Sequence, residues 1–411
     1  MKKKVVFCFL ALWALILQAA CGAPTPVVEP AEIRFLHTKV DSAFYTRVAE
    51  EFKAEYPEIT VNLTPVDFVS LSQVDTLKPD CLAASLFGLG SQSDMSQRFI
   101  SLDGFLEQEK ALPLEDYYPG PLSMATWEGK TWAIPAGMNL VVMYYNQNLF
   151  DRAGIPYPKP GWTWQDFLNA AIAITNQEAG VWGFAPLMDI VDPLMFIFQN
   201  GGNIVDDLQN PTRVTFNDPL TVEALEWYAN LFHGYKVAPT QKDISSQGAI
   251  YRLIFGGNVG MWSMTFDQRG GEWSERNFEP PFDVGIAPLP RNARAATYGE
   301  VYAYAITASS PSPDACWRWI NFLSSRVNPA NRLAPVRKSL AESKDYEQVV
   351  GSEAAAAVRA AIEAAIVPPS VDQFAAFSPS FEAFGVALER LLAGELNAQE
   401  AMDWAQQQAE K

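Results

Sequence analysis

The sequence predicts an α/β fold, and three features of the chain carry that prediction. Residues 33–36 and 61–64 have the composition of short strands, and between them residues 42–56 place apolar side chains on one helical face that ends before Pro57. This strand–helix–strand opening is typical of a doubly wound α/β domain. Hydrophobic residues make up 49% of the 411 positions and charged residues 19%, which is enough apolar material for a sizeable core. At roughly 150 residues per domain, the length predicts two or three domains.

Later segments continue the alternation of strands and helices. Residues 127–135 have the pattern of a tight hairpin, and an apolar strand is expected at 141–146. Thr163 is the expected N-cap of the helix that follows it. The helices predicted from apolar periodicity or Ala content lie at 164–174, 220–232, 314–323 and from residue 352 onward.

The N-terminal segment predicts export. Residues 1–4 form a basic start, and residues 5–17 are apolar throughout, which is short for a membrane span and typical of a secretory signal peptide. We therefore assign residues 1–20 to a signal peptide and expect an extracytoplasmic location.

A lipid anchor is expected directly after this segment. Residues 19–22 (AACG) resemble a bacterial lipobox, in which Cys21 would be diacylated and become the first residue of the mature protein. Gln18 stands where that motif usually has Leu. Residues 21–30 contain three prolines and are predicted to form a stiff tether that holds the domains off the cell membrane. Plain secretion after an ordinary signal peptide is the alternative.

Charge and composition exclude some partners. Asp and Glu total 47 against 30 Lys and Arg, a formal charge of −17, so a surface that neutralises nucleic-acid phosphates is not expected. The aromatic content is high, with 12 Trp, 14 Tyr and 25 Phe. Aromatic rings stack on flat, uncharged ligands, so the composition favours a ligand of that kind.

Cysteine usage excludes a cysteine-based metal or redox centre. The four Cys include no C-x-x-C motif, and Cys8 leaves with the signal peptide. For Cys81 and Cys316 we expect two buried thiols, with a disulfide between them as the alternative. No cofactor and no metal site are expected.

Eight short motifs occur in an order and spacing that resemble one family. They are VAEEF (48–52), WEGKTWAIP (127–135), YYNQNLF (144–150), GWTWQDF (161–167), QNGG (199–202), FNDP (216–219), GNVGM (257–261) and GIAPLP (285–290). Together they resemble the extracellular solute-binding proteins of carbohydrate-importing ABC transporters, the maltose-binding-protein-like family, over nearly all of residues 31–411. The resemblance implies an α/β periplasmic-binding-protein type II fold, with two lobes joined by hinge crossings. A sugar would bind between the lobes, and a membrane permease would receive it when they close.

The resemblance also implies where the chain passes between the lobes. Crossings are expected near residues 136–141, 285–289 and 307–312. Lobe one would then comprise residues 31–139 plus 288–309, and lobe two residues 140–287 plus 310–411. This division places Cys81 and Cys316 in different lobes and counts against a disulfide between them.

Sugar recognition requires polar groups for hydroxyls and aromatic rings for the flat C–H faces. By resemblance, the expected ligand residues are His37, Asp41, Ser85, Phe87, Asn139, Asp189, Asp192, Trp262, Asp267, Glu300, Tyr302 and Phe381. Core or helix-capping roles are the alternatives for His37, Asp41, Asp192 and Trp262, and Asp189 could equally be a helix-capping acid. Ala84 and Asp267 stand where relatives carry Trp.

Other functions compete with this interpretation. A glycoside hydrolase needs two carboxylates at a defined separation, and a chain with 47 acidic residues could contain such a pair. Against an enzyme, no GxSxG, SxxK or HExxH motif occurs. A non-sugar solute is a second alternative, namely a peptide, a polyamine or a polyol phosphate. A polyol phosphate would need a basic side chain in the cleft to bind its anion, and Lys39, Arg269 and Arg337 are the candidates. A sensor could replace the permease as partner. We expect a non-catalytic monomer.

Overall fold

The computed structural model describes residues 30–108, 112–187, 190–208, 211–240, 243, 247–268, 280–327, 333–366 and 377–411. In chain order the strands are β1 (Ala31–Thr38), β2 (Ile59–Val66), β3 (Cys81–Ser85), β4 (Thr126–Trp127), β5 (Lys130–Thr131), β6 (Ile134–Asn146), β7 (Trp182–Ala185), β8 (Val259–Thr265), β9 (Val284–Ala287) and β10 (Gly299–Ile306). The α-helices are α1 (Ser42–Glu55), α2 (Leu71–Leu77), α3 (Gln92–Arg98), α4 (Asp103–Gln108), α5 (Pro119–Met124), α6 (Gln147–Ala153), α7 (Trp164–Ile174), α8 (Val191–Gln199), α9 (Pro219–Asn230), α10 (Gln247–Phe255), α11 (Pro313–Ser324), α12 (Lys338–Ala341), α13 (Lys344–Val350), α14 (Ser352–Glu363), α15 (Ser378–Leu392) and α16 (Ala398–Ala409).

The chain opens with the predicted strand–helix–strand unit. β1 pairs in parallel with β2 and with β3, and α1 connects the first two strands. Phe44, Tyr45, Val48 and Phe52 form the buried face of α1 and cover the sheet. The spacing of these apolar side chains is the helical period on which the prediction rested.

One long strand belongs to both halves of the sheet. The first half of β6, residues 134–140, pairs antiparallel with β10, and the second half, residues 141–146, pairs with β8 and β9. The complete strand order is β2-β1-β3-β10-β6-β8-β7, with β9 also on β6. The middle of β6 is therefore the point where the chain passes from one half of the sheet to the other, and we take these halves as the sheets of the two lobes.

The predicted hairpin at residues 127–135 is present. β4 and β5 pair antiparallel across Glu128 and Gly129, whose φ angles are 49° and 72°. Two consecutive residues with positive φ make the tight turn that favours glycine at the second position.

The position of α11 corrects the predicted division of the chain. This helix packs on β1, β10 and α1, with the Trp319 ring centroid 5.6 Å from Phe35 and 5.1 Å from Phe52. The segment after residue 309 therefore stays on lobe one, because α11 buries its apolar face against β1, β10 and α1. Cys316 consequently lies in the same core as Cys81.

The return to lobe two comes later than expected. The backbone of Ala334 still pairs with Met138. α14, by contrast, packs on β6 and β9, and α16 packs on α9. The last passage thus lies between α12 and α14 instead of at residues 307–312, while the rest of the predicted division stays a prediction. Among the described residues, no helix is long and apolar enough to cross a membrane.

Candidate functional site

Strand directions bring most of the predicted ligand residues to one edge of the sheet. β1 and β3 end at this edge, and β10, which runs antiparallel to β3, begins there. β8 also ends there, since Thr265 lies opposite Val141 of β6. The loops that follow these strands therefore converge on the middle of β6, at the passage between the lobes.

On the lobe-one side, Ser85 and Glu300 form a hydrogen-bonded pair. The Ser85 hydroxyl donates to the Glu300 carboxylate, and Ser85 Oγ also accepts the backbone N–H of Phe87 at 3.2 Å. These bonds join the strand-end loop after β3 to the start of β10. In the β6–β10 register, Glu300 lies directly opposite Asn139.

Asn139 links this pair to lobe two. Its Oδ1 accepts the backbone N–H of Asp267 at 3.2 Å, and the Thr265 hydroxyl donates to Asp267 Oδ1 at 2.6 Å. Asn139 lies on β6 and Asp267 in the turn after β8. A polar path, here called the polar edge, therefore runs from Ser85 and Glu300 on lobe one, past Asn139 opposite Glu300, to Asp267 on lobe two.

Asp192 extends the polar edge further into lobe two. It lies in the first turn of α8, is 2% exposed, and accepts the backbone N–H of Leu187 at 3.1 Å and the hydroxyl of Ser263. Asp192 thus ties the loop after β7 to the middle of β8. Asp189 lies outside the described residues.

The comparisons with known proteins agree with this geometry. The family model described as bacterial extracellular solute-binding protein matches residues 36–328. The chain belongs to this family. Membership implies an extracytoplasmic location. A putative binding protein from Brucella abortus is 25% identical over 292 residues, which cover 68% of this chain and 68% of the relative.

Solved structures of solute-binding proteins share the fold. An ABC substrate-binding protein from Listeria monocytogenes in complex with cycloalternan superposes with a TM-score of 0.70 at 22% identity, covering 93% of this chain and 98% of the other. The cyclic α-maltosyl-1,6-maltose binding protein from Arthrobacter globiformis gives a TM-score of 0.72 at 21% identity, with coverages of 92% and 98%. These similarities confirm the predicted α/β periplasmic-binding-protein fold with two lobes.

His37 of this solute-binding protein is enclosed in the lobe-one core. Its ring is 0% exposed, lies 4.7 Å from the ring of Tyr45 and 6.0 Å from that of Phe35, and donates from Nδ1 to the backbone oxygen of Thr38 at 2.9 Å. Burial lowers the pKa of His37, because the imidazolium would lose its hydration. His37 offers no exposed surface to a ligand in this conformation.

Asp41 lies at the start of α1 but does not cap the helix with its side chain. It is 7% exposed, and its carboxylate accepts the hydroxyl of Thr38 at 2.7 Å. This bond holds the carboxylate against the turn that follows β1. The helix-capping alternative is therefore absent, and a ligand role for Asp41 stays a prediction.

Trp262 lies in the core, which was the alternative to a stacking role. It is 2% exposed, stacks on Tyr144 at a centroid distance of 5.9 Å, and meets Phe282 edge-on at 6.4 Å. Its ring belongs to the same buried cluster as Ile250 and Ile254 of α10.

The two remaining predicted residues occupy different places. Tyr302 is half-buried on β10, opposite Ser85 and Gly137, and belongs to the polar edge. Phe381 on α15 packs 6.3 Å from Phe216 in the lobe-two core, so it is not joined to the polar edge by any of the contacts described above.

Two exposed phenylalanines lie in neighbouring strand-end loops on the lobe-one side, and only one was predicted. Phe87 is 37% exposed and Phe68, in the loop after β2, is 57% exposed. The loops touch, since a Cβ built on Gly88 would lie 3.3 Å from Cζ of Phe68. The sequence signal that could have identified Phe68 is its position just after a parallel strand, equivalent to that of Phe87.

The two described basic residues that were considered for an anionic ligand form ion pairs. Lys39 Nζ lies 2.8 Å from Asp67, and Arg337 Nε lies 2.7 Å from Asp116. Arg269 is outside the described residues. The described part of the chain also has no cluster of three His, Cys, Asp or Glu that could hold a metal ion.

Proposed function

We propose that this protein is the solute-binding subunit of an ABC importer and captures a sugar or oligosaccharide between its two lobes. The observation that carries the proposal is the polar path from Ser85 and Glu300 through Asn139 to Asp267, flanked by exposed rings. A ligand placed there meets groups from both lobes at the point where the chain passes between them.

The side chains at this edge match the chemistry of a sugar. Carboxylates and amides accept or donate the directional hydrogen bonds that sugar hydroxyls need. The exposed faces of Phe68 and Phe87 supply the apolar contact for C–H faces. Both types of contact lie on rigid strand ends and short loops, which favours a pre-formed site.

The charges at the edge favour a ligand without negative charge. Glu300, Asp267 and Asp192 contribute carboxylates, whereas Lys39 and Arg337 form ion pairs with other acids. A phosphorylated polyol would place its anion beside these carboxylates, so we rank it below neutral sugars. Ligands that carry an amino group form the second class to test.

Delivery follows from closure around the ligand. A ligand that contacts both lobes binds the closed state more tightly than the open state and shifts the population by that difference. The permease then receives a closed, loaded protein, and no bond in the solute needs to be made or broken. The protein is proposed to act as a monomer.

The proposed anchor lies outside the described residues. We keep the interpretation that residues 1–20 are removed and that Cys21 carries lipid, so that residues 21–30 tether the lobes to the cell membrane. Metabolic labelling with a radioactive fatty acid tests this part. Label in the wild type and none in a Cys21→Ala variant is expected, whereas an unlabelled wild type would indicate plain secretion.

Thermal unfolding against a panel of mono- and oligosaccharides tests the binding function. A ligand present at a hundred times its dissociation constant adds about 2.7 kcal/mol to the free energy of unfolding. The sugars are recovered afterwards and analysed by chromatography. A stabilising sugar that returns intact supports the proposal. A cleaved sugar would show an enzyme, and stabilisation only by peptides, polyamines or polyol phosphates would assign another solute.

A further inference from the structure

Two cysteines that are far apart in sequence meet in the lobe-one core. Cys81 is the first residue of β3, which lies between β1 and β10 in the sheet. α11 packs across β1 and β10, the two neighbours of that strand, and Cys316 lies in its first turn. Both side chains are 0% exposed, and both thiols are free in the structure.

Backbone and side-chain geometry brings the segments of the two cysteines together, since Cys81 lies opposite Ile306 in the β3–β10 register and the Ser310 hydroxyl, six residues before Cys316, donates to Asp80 Oδ1 at 3.3 Å. Burial raises the pKa of the Cys81 thiol well above its usual range, and the neighbouring Cys316 thiol raises it further. Cys81 and Cys316 are therefore neighbours in one core, and the lobe division that had separated them does not hold for α11.

We propose that Cys81 and Cys316 form a disulfide in the exported protein and so join α11 covalently to β3. Exported proteins fold in an oxidising compartment, where disulfides form and persist. The oxidant is the disulfide of an exported thiol oxidase. One cysteine thiolate attacks that disulfide to give a mixed disulfide, and the second thiolate displaces the oxidase sulfur. Two electrons and two protons pass to the oxidase, which leaves as a dithiol.

The bond has to form before the core closes, because neither sulfur is accessible afterwards. Once formed, it holds α11 on the sheet that also carries Glu300 and Tyr302 on β10. The disulfide would therefore fix the frame of the lobe-one binding edge and leave β6, where the lobes join, free to bend.

Peptide mapping of the full chain, exported by a bacterial host through its own N-terminal segment, tests the proposal. The protein is unfolded in denaturant with a maleimide and without reductant, and the peptides are identified by mass spectrometry. We expect the peptides of Cys81 and Cys316 to be linked and unalkylated, and both to react fully after reduction. Complete alkylation of both cysteines before reduction would overturn the proposal.

Matched variants identify the pairing and its effect. In Cys81→Ala, Cys316 should be alkylated without reductant, whereas continued protection of Cys316 would show a different partner and refute the pairing. Reductant in mild denaturant should lower the melting temperature of the wild type and leave that of the Cys81→Ala/Cys316→Ala double variant unchanged. An equal response of the two proteins would also contradict the disulfide, and this comparison holds even when the variants are less stable.

Discussion

Truncation of Phe68 should weaken ligand binding by about tenfold. A phenylalanine presents on the order of 200 Å² of surface, so a ring that is 57% exposed offers roughly 110 Å² to a ligand. At about 25 cal/mol per Å², complete coverage would contribute about 2.8 kcal/mol. A sugar covers one face of the ring, or about half of that area, which leaves about 1.4 kcal/mol and a tenfold change in affinity.

The same substitution also affects stability, so the control must separate the two effects. The buried part of Phe68 is a little under half of the side chain, and its loss should lower the free energy of unfolding by up to about 2 kcal/mol. Tyr235→Ala is the matched control, because Tyr235 is 45% exposed on the turn after α9, away from the polar edge. It should lose comparable stability and keep full affinity.

Isothermal titration calorimetry well below the melting temperature measures the affinity, with the stabilising sugar from the panel as ligand. Urea unfolding gives the stability of each variant. The reasoning is refuted if Phe68→Ala and Tyr235→Ala lose the same stability and both bind the sugar as tightly as the wild type. Phe68 would then be an exposed loop residue without a role in binding.

Three further predictions concern the polar edge and the core. Glu300→Gln keeps an acceptor for Ser85 but removes the charge, and it should weaken sugar binding by about 1.5–3 kcal/mol in calorimetry; unchanged affinity would remove Glu300 from the site. The pKa of His37 is lower in the folded state than in the unfolded chain, so the unfolded chain takes up a proton first as the pH falls. The contribution of neutral His37 to the free energy of unfolding should therefore be full above pH 6.5 and should decline as the pH falls from 6.5 towards the pKa of His37 in the folded state. His37→Gln should lose this part of the decline in urea unfolding, and identical pH profiles would contradict the assignment. Trp262→Ala should cost about 3–5 kcal/mol of unfolding free energy; a small cost together with lost sugar binding would restore its stacking role.

The local elements could be predicted from sequence because they depend on short-range chemistry. Thr163 caps α7 as expected, with its hydroxyl accepting the N–H of Asp166 and the Asp166 carboxylate accepting in return. The hairpin turn at Gly129 and the amphipathic faces of α1 and α11 were likewise evident from spacing. Each of these features is fixed within one turn or one helical period.

The placement of elements depended on contacts that spacing does not encode. The apolar face of α11 predicts burial but not which sheet covers it, so Cys316 was assigned to the wrong lobe. The ligand residues show the same limit. Trp262 and Phe68 are both large aromatic residues in or near strands. Trp262 is buried because Tyr144 packs on it, whereas Phe68 stays exposed beside the loop that contains Gly88. Neither contact can be read from the spacing of residues in the sequence.

The central claim is that a sugar closes the two lobes, and the distance between the lobes tests it most directly. Spin labels at Asp67→Cys on lobe one and Ile190→Cys on lobe two lie on exposed loops near the polar edge. A pair within lobe one, Asp67→Cys with Glu55→Cys, serves as control. We expect an oligosaccharide to shorten the distance between lobes, leave the control distance unchanged and be recovered intact. An interlobe distance that no sugar in the panel alters would contradict the account.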